Sequence, residues 1–202
     1  MGKCKYGILM LQGKNSYGDC IMGDLSNIFK GWNFVVSDAR IFSRGLIMDG
    51  VKNILNTNTW VVDTCLETSL FSQDLGKVIK IINIYGPYSN RQVFWENNFN
   101  SNLLNEEYVF AGGDFNFNVG EYKIQGESAQ SDPLVSYFLW SLEEQGLFYL
   151  ASIKLIPTWH IMRVGQAHIS KRFNRFLVNK SFWRVPGESR NLLVKGGIKI
   201  TS

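Results

Sequence analysis

The chain has 202 residues, 45% of them hydrophobic and 14% aromatic, which excludes an intrinsically disordered chain and suffices for one domain with a sizeable core. Lysine and arginine number 21 against 17 aspartates and glutamates, so the net charge of +4 permits a polyanionic partner without demanding one. Cys4, Cys20 and Cys65 are odd in number and scattered, pointing to neither a disulfide framework nor a zinc site and fitting an intracellular compartment, nuclear or cytoplasmic; no run approaches the roughly 18 apolar residues of a membrane span.

In chain order, residues 6–11 form a short apolar segment that predicts a strand, and residues 19–30 predict a helix. Segments 33–36, 46–48, 59–63 and 78–85 are rich in β-branched or aromatic residues, are bounded by Gly, Asn, Asp or Ser, and predict further strands. A helix then opens at Ser89-Asn90-Arg91-Gln92, read as a capping box, with Phe94, Trp95, Phe99 and Leu103 on one stripe. Residues 108–111 predict another strand. Asp132-Pro133 offers an N-cap and an N1 proline for a last helix, with Leu134, Tyr137, Phe138 and Leu142 as its apolar face and Gly146 as its stop. Residues 184–202 lose any amphipathic pattern and read as an atypical tail. Strands grouped between helices, without regular βαβ repeats, predict one α+β domain over residues 1–202, a sheet-on-sheet core flanked by helices.

The chemistry gathers where two predicted strands end. Tyr108, Val109 and Phe110 lead into Ala111-Gly112-Gly113-Asp114-Phe115-Asn116, about thirty residues after Ile81-Ile82-Asn83-Ile84-Tyr85-Gly86-Pro87. A carboxylate and an amide are set side by side there with little bulk in front of them. The carboxylate of Asp114 can accept a proton from water, and the amide of Asn116 can donate to a phosphoryl oxygen without adding a repelling anion. The plainer alternative is an Asx turn at Asp114 and Asn116, with Tyr85 a core aromatic.

Ile82-Asn83-Ile84-Tyr85-Gly86-Pro87-Tyr88, Phe94-Trp95, Gly112-Gly113-Asp114-Phe115-Asn116, Pro157-Thr158-Trp159 and Arg172-Phe173-Asn174-Arg175-Phe176-Leu177-Val178, taken together and in this order, resemble the endonuclease domain of LINE-type non-LTR retrotransposons. That domain is a branch of the endonuclease/exonuclease/phosphatase superfamily, alongside the apurinic-site endonucleases. The likeness runs over residues 7–183. It implies a four-layer α/β/β/α sandwich, here incomplete at both ends, whose strand ends hold Mg2+ and nick DNA. By the same resemblance Asp114 positions or activates the attacking water, Asn116 and Tyr85 donate to the phosphate, and Thr158-Trp159 lies beside the substrate groove. Lys171, Arg172 and Arg175, interleaved with Phe173 and Phe176, either meet phosphates in that groove or lie on the solvated face of a strand.

The departures bear on activity. Leu9-Met10-Leu11-Gln12-Gly13-Lys14 has Gly13 where the family carries a metal-binding glutamate in a Leu-Gln-Glu-Thr-Lys segment, and glycine has no side chain with which to ligate, so no metal ligand is assigned. Phe173-Asn174-Arg175 has Asn174 where the family's aspartate orients a catalytic histidine, and no Ser-Asp-His follows before Ser202. An asparagine can hold an imidazole but cannot stabilise imidazolium by charge. His160 and His168, the two histidines, match no family position, and Glu67 and Glu121 read as surface carboxylates rather than replacement ligands. The expectation is a retroelement-derived DNA endonuclease-like domain, ancestrally a Mg2+-dependent phosphodiester hydrolase and catalytically impaired. The alternatives are a noncatalytic nucleic-acid-binding or protein-binding remnant and a phosphatase of the same superfamily.

Overall fold

The computed structural model describes residues 8–14, 18–37, 45–51, 59–62, 65–72, 76–117, 124–125, 132–150, 159–161, 169–171, 174–183 and 199–200. In chain order the elements are β1 (Ile8–Lys14), α1 (Gly18–Ile28), β2 (Trp32–Ser37), β3 (Gly45–Val51), β4 (Thr59–Val62), β5 (Cys65–Ser72) and β6 (Lys77–Tyr85). There follow α2 (Arg91–Asn100), β7 (Val109–Asp114), β8 (Ile124–Gln125), α3 (Leu134–Glu144), β9 (Leu147–Tyr149), β10 (Trp159–Ile161), β11 (Ile169–Lys171), β12 (Asn174–Asn179) and β13 (Lys199–Ile200).

β6 lies inside the largest sheet, whose order is β4-β5-β6-β7-β12-β9, and it is covered on both faces. That double burial is why its sequence is a nearly unbroken run of isoleucines rather than an alternation. Ile82 and Ile84 face one way, with Val109 and Ala111 of β7 and Leu177 of β12, into a core closed by Trp95 and Phe99 of α2 and Leu134, Phe138 and Leu142 of α3. Ile79, Ile81 and Tyr85 face the other way, with Leu66, Leu70, Phe110 and Val178, onto Met10 of β1. Met10 belongs to a second sheet, ordered β13-β1-β3-β2, so the sheets pack face to face with α2 and α3 outside the larger one. This is an α+β fold. α1 packs against β2 with Leu25 buried, and β10, β11 and β8 make a small third sheet.

β6 and β7 pair in parallel, with α2 in the crossover between them, so both strands end at the same edge of the sheet. β12 runs antiparallel to β7. The predicted α3 is present, but it starts one residue later than read, with Pro133 at the N-cap and no side-chain cap there; Asp132, the residue before, accepts the Leu134 N–H through Oδ1 at 3.1 Å, and Gly146 stops the helix at φ 61°.

The capping box predicted at Ser89-Asn90-Arg91-Gln92 is not formed. Asn90 is left-handed at φ 52°, ψ 31° and makes no side-chain cap, whereas a capping side chain reaches the helix amides from the β region. Gln92 turns forward instead and donates to Glu96 Oε1 at 2.9 Å. β5, absent from the expected elements, pairs with β6 along its whole length and carries Glu67, which forms an ion pair with Lys80 at 3.2 Å. In the region read as a tail, Lys199 and Ile200 pair in parallel with Leu9 and Met10.

Candidate active site

The shared edge of β6 and β7 puts Tyr85 and Asp114 opposite each other in register. Beyond them the two chains cross closely: the Gly86 N–H donates to Asp114 O at 2.7 Å, and a Cβ added to Gly86 would lie 2.5 Å from the Phe115 carbonyl oxygen. Only glycine fits that crossing. Gly112, one position before the strand's last pair, lies under the Phe176 ring, 2.5 Å from where its own Cβ would sit.

After Asp114 the chain alternates between core and site. Phe115 and Phe117 go inward and pack with Trp95 and Phe138, with ring centroids 4.8 Å apart for Trp95–Phe115 and Trp95–Phe138. Asn116 between them is left-handed at φ 54°, a conformation asparagine tolerates better than most residues. Its N–H donates to Asp114 Oδ1 at 3.0 Å, closing an Asx turn, and its Nδ2 donates to Gly86 O. The turn and the strand-end pairing therefore coexist, and the same atoms that make the turn set the position of Asp114. The Oδ1 of Asn116 is buried and accepts no hydrogen bond from the described residues.

Two residues that sequence reasoning treated only as helix-end signals complete the latch. Arg91, the first residue of α2, forks onto Asp132, Nη1 to Oδ2 at 2.5 Å and Nη2 to Oδ1 at 3.3 Å, and Nη1 also reaches Asn116 O at 3.5 Å. The starts of both helices are thus tied to the turn that carries Asp114. A bidentate, part-buried guanidinium–carboxylate pair has the geometry in which an ion pair is worth more than an ordinary surface pair. No spacing rule links partners 41 residues apart.

Tyr85 is 2% exposed, and its ring meets that of Tyr88 edge to face at 6.4 Å. Asn174, the first residue of β12, is in register opposite Asp114, so it lies at this same edge. Arg175 is a correction. Read from sequence as a groove cation or a solvated one, it is 1% exposed, donates through Nη1 to Phe117 O and lies with its guanidinium carbon 5.1 Å from the Phe117 ring centroid. It braces the inward side of the turn, because alternation along β12 sends it to the helix-covered face with Leu177. Gly13 falls at a register shift between β1 and β3, between the pairs Gln12 with Leu46 and Lys14 with Gly45. Trp159 is in β10, opposite Lys171. Arg172, Thr158, His168 and Glu121 lie outside the described residues.

Neither a family profile nor a curated protein sequence matches the chain. Solved structures do. The endonuclease domain of TRAS1, a telomere-specific non-LTR retrotransposon, superposes with a TM-score of 0.64 at 12% identity, over 88% of this chain and 86% of that one. An endonuclease/exonuclease/phosphatase family protein from Bacteroides thetaiotaomicron superposes with a TM-score of 0.51 at 11% identity, over 85% of this chain and 67% of the other. This chain has the endonuclease/exonuclease/phosphatase fold. A mannosyl-6-phosphatase of Bacteroides thetaiotaomicron shares the fold too, with a TM-score of 0.51 at 12% identity over 86% of this chain and 71% of that enzyme.

The family resemblance brings Mg2+ with it, and the donor set tests whether it fits. Among the described residues no three His, Cys, Asp or Glu side chains gather to hold an ion. Asp114 is the one carboxylate in the strand-end motif, its Oδ1 accepts the Asn116 N–H, and Gly13, the position that the resemblance matches to a glutamate, has no side chain to offer. Among the described residues this set does not fit a resident divalent cation, which takes several oxygen ligands where the motif offers a single carboxylate.

Proposed function

We propose that this chain is a retroelement-type endonuclease domain that receives a DNA phosphodiester at the edge formed by Tyr85, Asp114 and Asn116, and that divalent-ion-dependent cleavage is lost or severely reduced. The four-layer sandwich belongs to this reading, with α1 as the outer layer beyond the smaller sheet. The observation that carries it is the latch: Asp114 is held opposite Tyr85 by the Gly86 and Asn116 hydrogen bonds, at the end of two parallel strands. β6 and β7 are the parallel pair of a mixed sheet, so their carboxyl ends present side chains from both strands to one ligand. The five ordered sequence motifs and the fold shared with the TRAS1 endonuclease domain support DNA as the ligand.

Within this reading Asp114 orients water at the phosphorus, and the Asn116 amide and Tyr85 phenol steady charge on the phosphoryl oxygens. What fails is the supply of positive charge and of a proton: Gly13 offers no ligand, and Asn174 replaces the carboxylate that would orient a histidine. The chain then binds DNA with a salt dependence set by its phosphate contacts but hydrolyses it poorly.

Supercoiled-plasmid relaxation in Mg2+ or Mn2+ tests this. Little or no nicking is expected, together with salt-sensitive DNA binding. Robust nicking that disappears in Asp114→Ala would overturn the impairment, and absence of DNA binding at low salt would overturn the ligand. The shared fold of the mannosyl-6-phosphatase makes a small sugar phosphate the necessary comparison substrate; turnover of it alone would favour the phosphatase reading.

A further inference from the structure

We propose that Tyr88 is a stacking platform for an unpaired nucleobase adjacent to the phosphodiester at Asp114, an inference that rests on DNA being the ligand of this site. Tyr88 is 64% exposed, whereas Tyr85, three residues earlier, is buried, and the two rings meet edge to face at 6.4 Å and 77°. One tyrosine is thus inside the edge and the other stands on its rim.

The backbone that carries Tyr88 is fixed by the atoms that fix Asp114. Between the two tyrosines, the Gly86 N–H is held by Asp114 O and the Gly86 carbonyl by Asn116 Nδ2, while Pro87 restricts φ through its ring. Arg91 follows three residues later and closes the other side of the turn through Asn116 O and Asp132. An exposed aromatic ring on a pinned turn loses little freedom when a flat ligand lies on it, which is the arrangement that makes tyrosine an effective contact residue. Nucleobases are such ligands, and stacking on an aromatic side chain tolerates any base because each has a π face. A sugar phosphate has no π face to stack on this ring, so Tyr88 would favour nucleic acid over sugar phosphates. The hydroxyl is not needed for this role.

The test compares two fluorescent single strands of equal length at low salt, one an ordinary oligodeoxynucleotide and the other built from abasic tetrahydrofuran units. The wild-type chain is expected to prefer the base-bearing strand by about fivefold or more, the range that one stacked base commands. Tyr88→Ala should erase most of that preference while leaving affinity for the abasic strand unchanged, and Tyr88→Phe and Tyr88→Trp should retain it. Arg91→Ala, which loosens the turn and leaves the ring in place, should reduce the preference partly. Equal weakening on both strands in Tyr88→Ala, or a loss in Tyr88→Phe as large as in Tyr88→Ala, would overturn the stacking role. If the wild-type chain binds both strands and Tyr88→Ala changes neither, the stacking inference alone fails; if it binds neither strand, the DNA reading fails and takes this inference with it.

Discussion

Asn116 answers three demands at once: a positive φ, an amide donor for the Gly86 carbonyl, and a backbone N–H for the carboxylate two residues back. Replacements separate them. Asn116→Gly keeps the left-handed backbone and loses the side-chain bond, while Asn116→Ala loses both. Urea unfolding should show alanine costing about 2–3 kcal/mol and glycine about 1 kcal/mol less; equal costs would mean that the left-handed backbone carries no weight. Gly86→Ala should cost at least about 2 kcal/mol, because its Cβ meets backbone that cannot step aside. Much of this site was legible in the sequence, since glycine, aspartate and asparagine in that order carry both turn chemistry and a donor–acceptor pair. Arg91 was not, since its contacts lie 25 and 41 residues away and no local pattern reports them. Arg175 was misread for a related reason: charge predicts exposure unless a carbonyl and a ring wait inside, as those of Phe117 do.

The helices differ in how openly they announce themselves. α3 is bounded by local signals, an aspartate that accepts the first helical N–H from one residue further out than read and a glycine stop. α2 begins from a left-handed residue, so its start is fixed by the Arg91 fork and by burial of Trp95 rather than by a capping box. β5 escaped notice because Glu67, Thr68 and Ser69 interrupt its apolar pattern, and its partner Lys80 is visible only across the sheet. Asp132→Ala removes the acceptor of the Leu134 N–H and the Arg91 partner together and should cost about 1–2 kcal/mol. A double-mutant cycle with Arg91→Ala isolates the ion pair, and a coupling near zero would reduce the clasp to packing. Trp95→Ala, which empties the space between α2, α3 and the turn, should cost about 3–5 kcal/mol by chemical denaturation.

At the scale of the molecule, an α+β class with two sheets and flanking helices follows from the succession of short strands and amphipathic helices. The order of strands does not. β12 lies between β7 and β9 although the segments carrying β10 and β11 separate it from β9 in sequence, and such long-range pairing leaves no periodic trace. That order is what brings Asn174 opposite Asp114, so two positions sixty residues apart meet through topology rather than through proximity in sequence. At this scale the expectation concerns charge: because the chain carries only a small excess of positive charge, DNA affinity should fall with salt along a shallow slope, corresponding to a few phosphate contacts. A steep slope would mean instead that many of the 21 lysines and arginines gather on one face.

The two phenylalanines that flank Asn116 give the site an optical signature. Trp95, one of six tryptophans, is fully buried and lies within 4.8 Å to 6.0 Å, centroid to centroid, of Phe115, Phe117 and Phe138. An indole fixed among rings at set angles emits at short wavelength and lends asymmetry to the near-ultraviolet dichroism, and two of those rings ride on the turn that holds Asp114. Any variant or bound strand that shifts the turn should therefore be visible in the spectrum of a residue that touches no ligand.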